Sequence, residues 1–213
     1  MEDKKLTEQE SLELITTMIR RTRERYIGDG NIMLMWGYLS AAVAALVWIM
    51  LAVTGHPAWN YLWFLIMIVG GILTPVMARK EQSERGMKSY SDRLTSQIWT
   101  VIGYTSIAAA LMCVAFLVVG GVDSWMMMLG FALTLVPFAE IVQGIVVNEI
   151  SMIVGGSIGM LIGIFTECCI AGHVTLYAVW FMPLFILAFA TMFIVPGHVI
   201  NYKAKHQTLR HRR

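Results

Sequence analysis

Three polar side chains, Glu140, Gln143 and Glu167, stand inside long apolar stretches of this sequence and are the residues most able to do chemistry there. An ionisable residue in the middle of a membrane span costs on the order of 3 kcal/mol on insertion scales. It therefore marks a functional site by default. Glu140 and Gln143 are three residues apart and share one face of a helix. Pro137, just before them, lacks the N–H that would bond back along the helix, and frees carbonyls near Leu133 and Thr134. Glu140 lies about two turns from the inner end of its span, and Glu167 about one turn from the outer end of the next. A rise of about 1.5 Å per residue separates them by about 15 Å in depth. They are not a directly bonded pair, but they are placed as two stations of a proton or cation path. The competing reading is structural: each acid hydrogen-bonds to a Ser, Thr, Tyr or backbone carbonyl of a neighbouring helix.

Glu167 also ends a stripe of small residues. Gly155, Gly159 and Gly163 recur every four residues, followed in register by Glu167 and Ala171. Such a stripe lets another helix backbone come close, which is how membrane helices associate. It is expected to pack a tight bundle and to support self-association.

Other candidate chemistry is weaker. Met126, Met127, Met128, Cys168, Cys169 and His173, with His56 and Asp123 in neighbouring connections, offer soft donors of the kind that suit Cu(I) or Zn. No paired Cys-xx-Cys spacing accompanies them, and Met is a common apolar filler, so no metal is expected. Gly155-Gly156-Ser157-Ile158-Gly159 matches the letters of the hydrolase Gly-x-Ser-x-Gly motif, which needs a strand-to-helix elbow and a base. Ser157 falls instead within a membrane helix. Ile158 also stands where a rhomboid protease needs Gly. No zinc-protease, phosphate-loop or dinucleotide signature is present. The chain is expected to be no enzyme and to need no cofactor.

The elements that must position these residues follow from hydropathy. Of 213 residues, 57% are apolar and 14% charged, against about 25% charged in an ordinary soluble domain. Six apolar runs, near 31–54, 61–78, 96–119, 125–147, 150–171 and 174–196, are each long enough to cross a bilayer. Little chain is left for a soluble catalytic domain. All 16 Lys and Arg fall in Lys4–Arg25, Arg79–Arg93 and Lys203–Arg213. The positive-inside rule makes those segments cytoplasmic, with both termini inside. The net charge of +2 gives no reason to expect a nucleic-acid partner. No cleaved signal peptide is expected, because the first apolar run is too long for one. Cys113, Cys168 and Cys169 lie within spans and suggest no disulfide framework.

Residues 1–30 are expected to form a cytoplasmic amphipathic helix and hinge, residues 31–196 a six-helix transmembrane bundle, and residues 197–213 a basic cytoplasmic tail. In the first unit Thr7 and Glu10 fit a capping box. Leu12, Ile15 and Ile19 make an apolar stripe, and Gly28-Asp29-Gly30-Asn31 breaks the helix. That helix lies on the inner leaflet or docks a protein partner. The stretch 79–95 reads as a solvated connection containing a short helix. A faint repeat pairs Gly37-Tyr38-Leu39-Ser40 with Gly103-Tyr104-Thr105-Ser106 and with the region of Ser157. It suggests three helical hairpins in a pseudo-threefold ring.

At Leu6-Thr-Glu-Gln-Glu-Ser-Leu-Glu-Leu-Ile15, Asn31-Ile-Met-Leu-Met-Trp-Gly-Tyr38 and Val195-Pro-Gly-His-Val-Ile-Asn-Tyr-Lys-Ala-Lys205, the chain resembles multispan inner-membrane proteins of Bacteroidetes-type bacteria. The resemblance implies a bacterial inner-membrane location and carries no activity. The expectation is an all-α polytopic membrane protein of three helical hairpins with an N-terminal amphipathic helix. Its leading role is a non-enzymatic docking or regulatory component that self-associates. The alternative is a small proton- or cation-coupled transporter using Glu140, Gln143 and Glu167.

Overall fold

The structure, a computed structural model, describes Thr7, residues 28–85 and residues 90–211. Apart from Thr7, the amphipathic helix expected over 6–25 lies outside the described residues, as does 86–89. All regular structure among the described residues is helical. Six helices are long and apolar enough to cross a membrane, so the protein is an all-α polytopic membrane protein.

The first helix, α1, is Asn31–Thr54. A 3-10 segment, Pro57–Trp63, leads into α2, Phe64–Arg85. Then follow α3, Tyr90–Gly120, α4, Met126–Val147, and α5, Ile150–Ala171. The last, α6, comprises Ala178–Phe189, a π turn at Ala190–Ile194, and Val195–His211. Two boundaries differ from those expected from sequence. Most of 79–95 is helical, because α2 and α3 run past their apolar segments. The basic tail is likewise no separate unit, since α6 continues through it to His211. Polar residues at these ends cost nothing once they reach water, so hydropathy stops marking the helix before the hydrogen bonds do.

Sequential hairpins pack as pairs: α1 with α2, α3 with α4, and α5 with α6. In space the helices follow the order α2, α1, α6, α5, α4, α3. This is an arc rather than a closed ring, because α2 and α3 scarcely touch among the described residues. The apolar centre comes mainly from α6. Phe181, Phe185, Phe189 and Phe193, each four residues from the next, form a buried aromatic ladder. Trp63 meets Phe185 edge-on at 5.0 Å, and Trp99 lies 6.1 Å from Phe193. The faint repeat does not carry equivalent packing. Gly37 lies against Phe193 and Ile194, whereas Gly103 faces open space.

Two π turns interrupt the long helices at matching positions. Phe131–Leu135 precedes Val136-Pro137, and Ala190–Ile194 precedes Val195-Pro196. In each, the valine N–H bonds five residues back, Val136 to the Phe131 carbonyl and Val195 to the Ala190 carbonyl. A proline follows each and is part of the cause, though Pro75 and Pro183 sit in helix without such a turn. A proline ring crowds the carbonyl four residues earlier and it has no N–H to offer that carbonyl. One extra residue in the turn relieves the crowding without ending the helix.

Candidate functional site

The glycines of α5 are covered by this chain's own neighbouring helices, two of them by backbone carbonyls. A side chain on Gly163 would run into the Leu133 carbonyl, in the π turn of α4. One on Gly155 would run into the Thr191 carbonyl, in the π turn of α6. Gly159 sits under the Met192 side chain, and Gly156 faces Ile141 and the Pro137 carbonyl, 3.1 Å from where its Cβ would be. The stripe thus wedges α5 between the two proline-disrupted helices, and these glycines leave no open face for a second copy. Sequence reasoning had no signal for this, because a small-residue stripe does not say whose backbone it receives.

Glu140 is fully buried on α4, and neither carboxyl oxygen has a hydrogen-bond partner. The structural alternative raised for it, a bond to a neighbouring hydroxyl or carbonyl, is absent. Among the described residues, two other buried side-chain oxygens are also without partners: Ser40 Oγ on α1 and Thr95 Oγ1 on α3. Helix register sets Ser40 and Glu140 at similar depth. Gly37 meets Phe193 and Ile194, so Ser40 lies near Ala190, while Gly155 meets Thr191 and Gly156 meets Ile141. Thr95 lies one turn nearer the basic end than Trp99.

Gln143 is engaged rather than free. Trp99 Nε1 donates to its side-chain oxygen, tying α3 to α4 one turn below Glu140. Glu167 lies elsewhere, partly exposed near the far end of α5, with its carboxylate against Gly130. The ten residues from Gly130 to Glu140 correspond to about 15 Å along the helix. The structure therefore joins Glu140 and Gln143 on one face and leaves Glu167 apart from both. Surface depressions around His56–Ile68 and around His198–Lys205 include neither acid.

Outside the spans, a polar site that the sequence reading missed closes the basic end. Asn148 adopts the left-handed conformation, with φ 59°, and turns α4 into α5. Glu149 then caps α5, accepting from the Ser151 N–H at 3.4 Å and the Ser151 hydroxyl at 2.9 Å. Lys203, from the helical tail, donates to both Glu149 oxygens at 2.9 and 2.7 Å. Asn201 donates to the Asp29 carbonyl at 3.1 Å and to Asn31 Oδ1 at 3.2 Å, joining the same tail to the start of α1. Gly30 fits there because its φ of 74° and its closeness to the Gly197 carbonyl both exclude a side chain.

Burial disfavours charge on Glu149, but hydrogen bonds from Lys203 and Ser151, aided by the ammonium charge, outweigh it and hold its carboxyl below the usual carboxylate range. A lowered pKa in the folded state means this stabilisation is complete above the ordinary carboxylate value, roughly pH 4. It is lost as pH falls through the lowered value. Lys203→Ala leaves Glu149 buried without a counter-charge, held by Ser151 alone. The expected loss is about 1–2 kcal/mol, less than for a sealed pair because the lysine is half exposed. Denaturation midpoints measured against pH check this: the deficit should be present at neutral pH and shrink in acid.

Among the described residues no three of His, Cys, Asp and Glu gather as a group that could hold a metal ion. Cys168 is exposed, while Cys113 and Cys169 are buried. Comparison with protein-family models, curated proteins and solved structures gave no match.

Proposed function

We propose that this is a small proton- or cation-coupled carrier of a bacterial inner membrane, with Glu140 as its coupling group. One observation carries the reading: a carboxyl group buried in an apolar bundle with both oxygens unpartnered. A purely structural acid would have been given hydrogen bonds. Two features of the fold support it. The π turns give α4 and α6 a place to change hydrogen-bond register, and such interruptions recur at functional sites. Transporters also build midplane sites from discontinuous helices. In this reading Gln143, held by Trp99, fixes the face that carries Glu140, and Glu167 serves the far side. The segments Arg79–Arg93 and Lys203–Arg213 face the cytoplasm, as the distribution of cations implies.

The test is collapse of an imposed pH gradient in proteoliposomes, followed with an enclosed pH-sensitive dye. The native protein should speed the collapse, and Glu140→Gln should reduce the rate to that of empty vesicles. Equal rates for native protein and variant remove the carrier reading.

A docking or regulatory role is a second reading, favoured by a different observation. More than half of the described residues of α2 and α3 are exposed, and the two helices scarcely touch. A partner helix seated between them would cover that apolar surface. Gly71→Trp or Gly103→Trp, which add bulk on the open faces of α2 and α3, should then release a co-purifying partner while the bundle still inserts. An intact protein that purifies alone from native membranes speaks against this role.

A further inference from the structure

The chemistry around Glu140 also discriminates between the ions it could serve. Resting on the carrier reading, we infer that the site takes a proton and not a metal cation, and that Glu140 is the neutral acid in the arrangement seen here. The first argument is a count of oxygen donors. Hard cations in protein sites collect about six oxygens. Glu140 supplies two. The side-chain oxygen of Gln143 is already taken by Trp99. The Leu133 carbonyl, freed by Pro137, is covered by Gly163. Among the described residues Ser40 Oγ is the other unpartnered side-chain oxygen at this depth, and its helix makes at most marginal contact with α4. A bare cation would be poorly coordinated and a proton needs only one oxygen.

The second argument is the absence of a counter-charge. Glu140 is the sole ionisable residue between Met126 and Val147. The helices packed on α4 are α3 and α5. On α5 the titratable groups stand near its two ends: Glu149 at one, and Glu167, Cys168 and Cys169 at the other. On α3, Tyr90, Asp92 and Arg93 stand in the first turn. Tyr104 is 71% exposed, and Cys113 lies about two turns further out. Of these only Tyr104 comes near the level of Glu140, since Trp99 on the same helix meets Gln143, and its side chain is turned outward. A carboxylate ion with no partner in such a core costs far more than a neutral acid with unmade hydrogen bonds. The neutral acid can release its proton only when the bundle opens to water or to an acceptor, and that is the behaviour a coupled carrier requires.

Infrared spectroscopy of the protein in lipid nanodiscs tests this directly. Near neutral pH, in a buffer free of sodium and potassium, the native protein should show the carbonyl stretch of an undissociated carboxylic acid. That band should be missing from Glu140→Gln and should not change when NaCl or KCl is added. If Glu140→Gln does not assemble, Glu140→Met gives the same comparison without an amide. A native protein lacking the band, or one whose band disappears on adding salt, overturns the proton assignment. The carrier reading fails separately: native and Glu140→Gln vesicles would then lose a pH gradient equally fast, whatever the infrared band does.

Discussion

Glu140→Met should make the bundle more stable and abolish proton movement. The substitution removes a buried group with two unmade hydrogen bonds and replaces it with an apolar side chain of similar volume. A buried polar group left without hydrogen bonds costs about 1–3 kcal/mol, and the substitution removes that cost. Unfolding in mixed detergent and denaturant should therefore shift to higher denaturant by an amount in that range. Function-bearing groups commonly cost stability, and opposite movement of the two readouts is what separates such a group from a structural one. A variant that unfolds more easily would mean that Glu140 is held by partners in the native state.

The second large effect concerns backbone contact. Gly163→Ala and Gly155→Ala should each destabilise the bundle by about 3 kcal/mol, at the upper end of what overpacking costs. In both, the new methyl group meets a carbonyl of a neighbouring helix, which moves only if the helix moves. Gly159→Ala meets the flexible Met192 side chain instead, and should cost about 1 kcal/mol. Gly71→Ala and Gly103→Ala meet open space, and should be neutral or slightly stabilising because alanine is the better helix former. The order across these five variants matters more than any one value. If Gly103→Ala were as damaging as Gly163→Ala, the packing of α5 between α4 and α6 would be wrong.

Much of this architecture was legible in the residues. Six apolar runs gave the six helices to within a few residues wherever a span ends in a tight turn, as at Asn148-Glu149. They stopped short at Arg79–Arg85 and Lys203–His211, where a helix continues into polar sequence. Glu140 was identifiable because an acid within an apolar run is costly to insert, whether its role is functional or structural. Its lack of partners was not, since that depends on which faces of α3 and α5 meet it. The glycine spacing announced close packing but not the identity of the packed helix. Pro137 signalled an interruption. Its counterpart Pro196 was overlooked because hydropathy placed it at the end of a span. The Glu149–Lys203 pair was invisible for a simpler reason: 54 residues separate its members, and neither belongs to a motif.

Everything proposed for Glu140 requires that it sit out of reach of both membrane faces, with the basic segments together on one of them. Site-directed cysteine labelling with a membrane-impermeant maleimide, on a background lacking Cys113, Cys168 and Cys169, measures this most directly. Lys88→Cys and Lys205→Cys should both react from the same side, Asp123→Cys from the opposite side, and Glu140→Cys from neither in the closed bundle. Reaction of Lys88→Cys and Lys205→Cys from opposite sides, or ready reaction of Glu140→Cys from both, would contradict the account.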